Sequence, residues 1–327
     1  MPLWSVASVS SVLSAALVLF SVPSPALVLF SVPSAASFDS SAPANGSALA
    51  QDKQVRTAYP DRRGFKLTDF PRTIKLADNV YGYEDIRNPG FTTVSLFVVG
   101  ADGVLIVDGQ GSPEATRKML DEIGKVTTKP IKWYIVGSDH GDHTAGNSVL
   151  PAGITYIVSK ASQAQMKLAA APMTTDQQVV NVGGIEVQAH FLGRAHTGGD
   201  LVVYLPKQKI LFMSEVYLNR VFPAMRSAYP TEWVAVIDKA LAMDVDRYVP
   251  GHGFIEEPKA SREELVEYQK AMRAVIAEVN RLHKLGLSAE DAAKQANWGA
   301  YQDWFLVDQQ GPIAVRKIYE EIEGKLK

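Results

Sequence analysis

Four segments of this chain run from an apolar stretch of strand length into side chains of the kind that ligate metals. The ligand-type residues are His140, Asp142 and His143 in one loop, then His196, Glu215 and His252 in three others. Because strand ends are rigid, imidazole and carboxylate groups that follow them converge without a large loss of conformational entropy. Such groups suit zinc, and also iron or manganese. The pattern therefore predicts a metal site at one edge of a β-structure.

Cysteine is absent from the 327 residues, which narrows the chemistry of that site. Disulfides, thiolate ligands, iron–sulfur clusters and a cysteine nucleophile are excluded. There are six histidines, and the two outside the four segments, His190 in a strand pattern and His283 on a helix, are expected to be structural. A net charge of −2 gives no electrostatic basis for binding nucleic acid or an anionic membrane surface.

Residues 1–50 differ from the rest of the chain, because Asp39 is the one charged side chain among them. The segment Ala16–Ser24 recurs as Ala26–Ser34, and prolines interrupt both copies. Each apolar run is too short to cross a bilayer, so no stable membrane span is expected. We predict a signal peptide with a cleavage site at Ala48–Ala50, or otherwise a disordered leader. A signal peptide predicts a periplasmic or secreted protein, and a disordered leader a cytoplasmic one.

The rest of the chain alternates strand and helix patterns, which is typical of an α/β fold. Strands are predicted at 74–83, 92–99, 104–107, 133–136, 154–158, 184–191, 201–205, 210–213 and 247–249. Helices are predicted from Pro113, capped by Ser112 and ended by Gly124, from Thr231, after Pro258 with a capping box at Ser261 and Glu264, and from about Pro312 to Lys327. We expect one α/β domain at 51–257 and a helical extension at 258–327 that packs on it or pairs two subunits as a homodimer.

The order of the ligand segments resembles the metallo-β-lactamase superfamily, whose loop reads His-x-His-x-Asp-His, followed by a lone His, a bridging acid and Gly-His-Gly. The match covers roughly Ile74 to Phe254. The resemblance implies an αββα sandwich, here with additional C-terminal helices. It also implies a first metal site at Ser138, His140 and His196 and a second at Asp142, His143 and His252. Glu215 stands where an aspartate normally bridges the two sites.

The chain departs from the family pattern at Ser138, which replaces the first histidine of the loop. A neutral hydroxyl is a poor zinc ligand, so the first site keeps only His140 and His196. We therefore predict one tightly bound Zn²⁺ on Asp142, His143 and His252, completed by Glu215 or water. A second metal is expected to be weak or absent, which leaves His140 and His196 free for acid–base or substrate-orienting roles.

The altered loop, Glu215, the length and the apolar leader together resemble a branch of hydrolytic dehalogenases that replace an aromatic chlorine by hydroxyl. That resemblance implies a small apolar aromatic substrate and hydroxide supplied by zinc. Asp142 is then a candidate base, Ser138 a hydrogen-bond donor, and Asn219 a donor to the charge that builds on the ring. Tyr217, Trp233 and Trp304 are the predicted stacking partners of the substrate, although an aromatic at helical spacing, such as Trp233, is more often part of a core.

Three other functions are compatible with the same residues. The first is hydrolysis of a β-lactam, lactone or thioester, with Arg194 or Arg220 pairing with a substrate carboxylate. The second is metal binding without catalysis, against which the complete second site argues. The third is redox chemistry at bound iron, since the same ligands hold iron. Nucleic-acid processing is disfavoured by the acidic balance.

Overall fold

The computed structural model describes residues 55–326. The predicted leader, with its repeated segment and cleavage site, lies outside the described residues. The strands are β1 Arg72–Ala77, β2 Val80–Arg87, β3 Phe91–Val99, β4 Val104–Val107, β5 Ile131–Ile135, β6 Thr155–Ile157, β7 Gln177–Val182, β8 Ile185–His190, β9 Val202–Leu205, β10 Ile210–Phe212 and β11 Arg247–Val249. The α-helices are α1 Pro113–Val126, α2 Gly141–Thr144, α3 Lys160–Met166, α4 Pro230–Leu241, α5 Pro258–Lys284, α6 Ala289–Gln295 and α7 Val307–Ile322.

The strands form two sheets that face each other. The first has six strands in the order β1-β2-β3-β4-β5-β6, antiparallel up to β4 and parallel from β4 to β6. The second has five strands in the order β11-β10-β9-β8-β7, where β10 and β11 are parallel and the other pairs antiparallel. The parallel pairs end at polar loops, which is where α/β proteins place their functional side chains.

Buried apolar side chains form three layers around these sheets. Val94, Leu105 and Ile135 of the first sheet pack with Val203 and Phe212 of the second. On the outer face of the first sheet, Met119 and Ile123 of α1 pack against Phe97 and Ile106. On the outer face of the second sheet, α4, α5 and α7 share one apolar cluster with strand residues such as Leu211. The architecture is therefore the predicted αββα sandwich with additional C-terminal helices.

Several strands and helices differ from the sequence prediction. The strand predicted at 74–83 is a hairpin of β1 and β2, because Asn79 takes a left-handed conformation (φ 63°) and reverses the chain. The strand β7 and the helix α6, which Ser288 caps, were not predicted. β7 reads Gln-Gln-Val-Val-Asn-Val, so paired glutamines and paired valines break the polar–apolar alternation that predicts a strand.

The two C-terminal helix starts also differ from the prediction. α5 begins at Pro258, so Ser261 lies within its first turn, where its Oγ donates to the carbonyl of Pro258 (2.7 Å). The predicted capping box is therefore wrong, and Glu264 instead pairs with Arg220. α7 begins at Val307, and Pro312 lies near its start rather than at its first position.

The C-terminal helices pack on the domain of their own chain. Leu265 and Tyr268 of α5 and Ile318 of α7 lie in the same apolar cluster as Trp233 of α4. The extension from residue 258 onwards therefore shares its core with the α/β domain and has no separate core of its own. Among residues 55–326, the helices are all too short or too polar to cross a membrane.

Candidate metal centre

The predicted ligand loops converge at the edge where β5, β10 and β11 end. His140, Asp142 and His143 follow β5, and α2 carries the last two. Glu215 follows β10, His252 follows β11, and His196 lies between β8 and β9. Donor atoms of these side chains form two groups, each within 4.8 Å: Asp142, His143, Glu215 and His252, and His140, His196 and Glu215. The structure thus brings all six predicted ligands together.

The group of Asp142, His143, Glu215 and His252, called the first group below, corresponds to the second metal site of the family pattern and is compact enough to hold one metal ion. His252 Nε2 lies 3.3 Å from His143 Nε2, 3.0 Å from Asp142 Oδ2 and 3.3 Å from Glu215 Oε1. Atoms that ligate one zinc ion at about 2 Å lie roughly 3 to 3.5 Å apart, so these separations suit a shared ion. His143 and His252 are buried, so these two imidazoles would hold an ion from the protein side, while Asp142, Glu215 and His252 also face the cavity.

The second group is held together by the same carboxylate. His196 Nε2 lies 2.9 Å from His140 Nδ1 and 3.1 Å from Glu215 Oε1. Glu215 Oε2 lies 3.0 Å from His140 Nδ1. Glu215 therefore stands between the two groups, in the position that the bridging acid of the family pattern predicts.

Ser138 occupies the position of the missing histidine but does not provide a free metal-ligating atom. Its Oγ donates to Glu215 Oε2 at 2.6 Å and accepts from the backbone N–H of His140 at 3.3 Å. The serine is fully buried. The hydroxyl therefore fixes the carboxylate of Glu215, and His140 and His196 are the imidazoles of this group.

Contacts on the far side of the imidazole rings orient the ligand nitrogens. His252 Nδ1 lies 2.8 Å from the carbonyl oxygen of Thr92, to which it donates, and His143 Nδ1 lies 3.2 Å from Asp108 Oδ2. Both Nε2 atoms then face the other ligands. Such outer contacts fix the tautomer and raise the basicity of metal-bound histidines.

Asp108 is a residue that the sequence reasoning missed as part of this site. It follows the fully buried strand β4 with φ 59°, and its carboxylate accepts from the N–H of Gly137 (2.7 Å) and the hydroxyl of Ser214 (2.5 Å). It therefore ties the β5 loop to the β10 loop beside His143. The signal in the sequence is an acidic residue directly after an apolar strand.

The charges of the buried groups fit a divalent cation. Burial opposes protonation of His140, but its hydrogen bond to Glu215 and the charge of that carboxylate raise its pKa to about 9. Burial acts in the same way on His252, and Asp142 and Glu215 raise its pKa to about 9. Burial favours neutral carboxyls, yet the surrounding histidines hold the pKa values of Glu215 and Asp142 below their usual range. Protons on imidazole thus balance the buried negative charge here, as a metal ion does.

A cavity of about 380 Å³ opens onto these groups. Five ligand candidates line it: His140, Asp142, His196, Glu215 and His252. Arg87, whose guanidinium pairs with Asp142, lines it as well. The volume suits a small molecule. A second cavity, of about 570 Å³ and mostly apolar, lies beside α3 and contains none of the ligand candidates.

The residues predicted to contact the substrate lie behind the wall of the metal-side cavity. Tyr217, Trp233 and Trp304 are buried in the apolar cluster beneath the second sheet. Trp233 donates from Nε1 to the carbonyl of Val216 (2.8 Å) and reaches the centre only by an edge contact with His196. None of the three lines the cavity. The prediction that these three rings stack on a substrate is therefore wrong, because the rings fill the core.

The polar residues predicted to contact a substrate already bond to other groups of the protein. Asn219 donates from Nδ2 to the carbonyl of Phe254 (2.7 Å), is buried, and does not line the cavity. Its amide is thus already used within the fold. Arg194 pairs with Glu232 and Arg220 with Glu264, so these two arginines do not face the metal centre as partners for a carboxylate.

Comparison with curated proteins finds distant relatives. No family model matches the chain. The α subunit of 2,4-dinitroanisole O-demethylase from Nocardioides sp. (strain JS1661) is 26% identical over 170 residues, 48% of this chain and 52% of that protein. The linear primary-alkylsulfatase of Pseudomonas sp. (strain ATCC 19151) is 26% identical over 68% of this chain and 54% of its own length. The chain thus spans about half the length of these two relatives.

A third relative and the solved structures agree on the fold. The type 2 metallo-β-lactamase of Bacillus cereus is 25% identical over 46% of this chain and 63% of its own. A metallo-β-lactamase from Pontibacter korlensis superposes with a TM-score of 0.55 at 20% identity, over 61% of this chain and 99% of that one. The sec-alkylsulfatase Pisa1 of Pseudomonas sp. gives 0.63 at 14% identity, over 77% and 50%. The chain has the metallo-β-lactamase fold, and the names of its relatives support that superfamily.

Proposed function

We propose that the chain is a zinc-dependent hydrolytic dehalogenase that replaces an aromatic chlorine of chlorothalonil (tetrachloroisophthalonitrile) by hydroxyl. The observation that carries the proposal is a complete ligand group beside a depleted one. Asp142, His143 and His252 with Glu215 form a set that holds one ion. Ser138, which replaces the family's first histidine, is bonded to Glu215. Displacement of an aromatic chlorine needs one activated water and an electron-poor ring.

Asp142, His143 and His252 would hold the zinc ion, and a bound zinc ion would lower the pKa of a water and so supply hydroxide at neutral pH. The hydroxide oxygen forms a bond to a chlorine-bearing ring carbon, the carbon–chlorine bond breaks, and chloride leaves with the bonding pair. Glu215, His140 and His196, joined by contacts of 2.9 to 3.1 Å, hold the released proton. Because Glu215 belongs to both groups, it would link the activated water to His140 and His196.

One relative supports an electron-poor ring as substrate. That relative, the α subunit of 2,4-dinitroanisole O-demethylase, is named for a nitroaromatic substrate. Nitro and nitrile groups both withdraw electrons from an aromatic ring and open it to attack by hydroxide. The shared fold and this chemistry are consistent with a tetrachlorinated dinitrile in the cavity of about 380 Å³.

A second candidate function is hydrolysis of a β-lactam, lactone, thioester or sulfate ester. The observation in its favour is Arg226, which lines the cavity and is a cation for an anionic substrate. The names of the lactamase and alkylsulfatase relatives point the same way. Against efficient β-lactam hydrolysis, Ser138 removes an imidazole from the second group. A metal-binding protein without catalysis is the third candidate.

The test measures zinc content and chloride release from chlorothalonil on one purified sample of the full chain. We expect about one zinc per chain, and chloride release that stops with a chelator and returns with zinc. Zinc without chloride release would reject the dehalogenase and make lactam, lactone, thioester and sulfate-ester substrates the next to assay. Absence of bound zinc would reject both hydrolase proposals.

A further inference from the structure

Part of the wall of the metal-side cavity comes from the C-terminal extension. Leu306, Gln309 and Gln310, at the start of α7, line the cavity that also contains His140 and His252. From the sequence, this helix was expected only to pack or to pair subunits. It instead contributes side chains to the space in which a substrate reacts.

Gln310 is a largely buried residue whose side-chain amide has no protein partner among the described residues and opens to the cavity. The residue is 7% exposed, and its side chain makes no hydrogen bond to any residue of the described range 55–326. Its backbone N–H bonds to Leu306 within the helix turn, so only the amide is free. The atoms of this amide are not fully enclosed by protein, so they are accessible to a molecule in the cavity. The amide lines the cavity, so a molecule that enters there is the natural partner.

Arg226 supplies a second free donor to the same cavity. It is exposed, and within the part of the chain that the structure describes it forms no ion pair or hydrogen bond through its side chain. The other arginine of the cavity, Arg87, already pairs with Asp142. Gln310 and Arg226 therefore bring donors to a wall whose other members include the apolar Leu218, Val221 and Leu306.

We propose that Gln310 and Arg226 recognise a hydrogen-bond acceptor substituent on the substrate, while its ring lies on the apolar residues and its reacting carbon faces the metal ligands. The substrate class is a small planar ring that carries a nitrile, nitro or sulfonate group. The assignment of this group to a reacting substrate rests on the proposed function. In that reaction, negative charge moves to the acceptor as hydroxide adds, and donors from Gln310 and Arg226 stabilise it.

The experiment measures binding of two unreactive probes to the zinc-loaded full chain by calorimetry. Isophthalonitrile carries neutral acceptors, and benzene-1,3-disulfonate carries anionic ones on the same ring positions. The variants are Gln310→Leu, which keeps the size and removes the donor, Gln310→Glu, which keeps the shape and presents an acceptor, and Arg226→Gln. Gln302→Leu, an exposed glutamine outside the cavity, is the matched control, and thermal midpoints verify folding.

We expect Gln310→Leu to weaken binding of isophthalonitrile by about fivefold or more, and Gln310→Glu to weaken it further. Gln302→Leu should bind isophthalonitrile as the wild type does. Arg226→Gln should weaken the disulfonate by about tenfold and affect the nitrile less, since bonds to charged groups are stronger. Equal affinities in wild type and the Gln310 variants would overturn the proposal, as would failure of both probes to bind. Absence of chloride release with Gln310-dependent binding intact would reject the proposed reaction and leave this recognition site standing.

Discussion

The number of imidazoles around Glu215 depends on residue 138. Ser138 Oγ donates to Glu215 Oε2 at 2.6 Å and adds no metal ligand of its own. We expect Ser138→His to raise zinc content from about one towards two per chain, because a third imidazole completes the group of His140 and His196. Elemental analysis of the purified variant measures this.

The control for that substitution is Ser138→Ala, which removes the hydroxyl without adding a ligand. It should keep about one zinc per chain, because the group of Asp142, His143 and His252 is untouched. An unchanged content in Ser138→His, with the fold intact by circular dichroism, would mean that His140 and His196 do not serve as metal ligands.

Asp108 acts on the metal through His143. We expect Asp108→Asn to weaken zinc binding by about tenfold to a hundredfold, because an amide holds the imidazole less firmly than a carboxylate 3.2 Å from Nδ1. Competition with a chromophoric chelator measures the affinity. Asp102→Asn, at an exposed turn, is the matched control, and equal zinc affinity in the two variants would contradict the role given to Asp108.

At the scale of elements, β2 contains a buried carboxyl that links it to the segment after His252. Glu84 accepts from the N–H of Ile255 (2.7 Å) and lies 3.4 Å from Arg72. Burial is the main cause that raises the pKa of Glu84 to about 7, and Arg72 and the Ile255 N–H oppose it. The folded chain therefore keeps this proton at pH values where the unfolded chain, with its ordinary value of 4.5, has released it.

A raised pKa of an acid gives stability that is complete below the unfolded value and is lost as pH rises through the folded value. The free energy of unfolding of the wild type, relative to Glu84→Gln, should therefore fall by about 3 kcal/mol between pH 4.5 and pH 8. Urea unfolding across that range measures it. Glu186→Gln, exposed on β8, should show no such trend, and a pH-independent difference for Glu84→Gln would refute the assignment.

The elements that the sequence predicted well are those whose apolar runs end at ligand residues. The strand at 247–249, which leads to His252, is predicted to its ends, and the loops with His143 and His252 converge as expected. The sequence does not predict β7, because Gln-Gln-Val-Val-Asn-Val does not alternate polar and apolar residues. The cavity wall at Gln310 was also missed, because its proximity to His140 arises from packing between distant segments, which no local pattern encodes.

At the scale of the whole molecule, the ligand group draws on both sheets. Asp142 and His143 follow β5 of the first sheet, whereas Glu215 and His252 follow β10 and β11 of the second. A bound ion therefore joins the two sheets at one edge. It would also neutralise carboxylates that are otherwise balanced by protonated imidazoles and, at Asp142, by Arg87. Metal binding and the stability of the sandwich are linked for this reason.

The last prediction concerns metal removal. A ligand at a hundred times its dissociation constant stabilises a protein by about 2.7 kcal/mol, so the chelated chain should melt roughly 5 to 10 °C below the zinc-loaded one. Calorimetry of both forms measures the difference. His143→Ala removes a ligand of the first group alone, and its melting temperature should be the same with zinc and with chelator. An equal wild-type melting temperature with zinc and with chelator would mean that the ion does not join the sheets. A zinc-dependent midpoint in His143→Ala would place the stabilising ion at His140 and His196 instead.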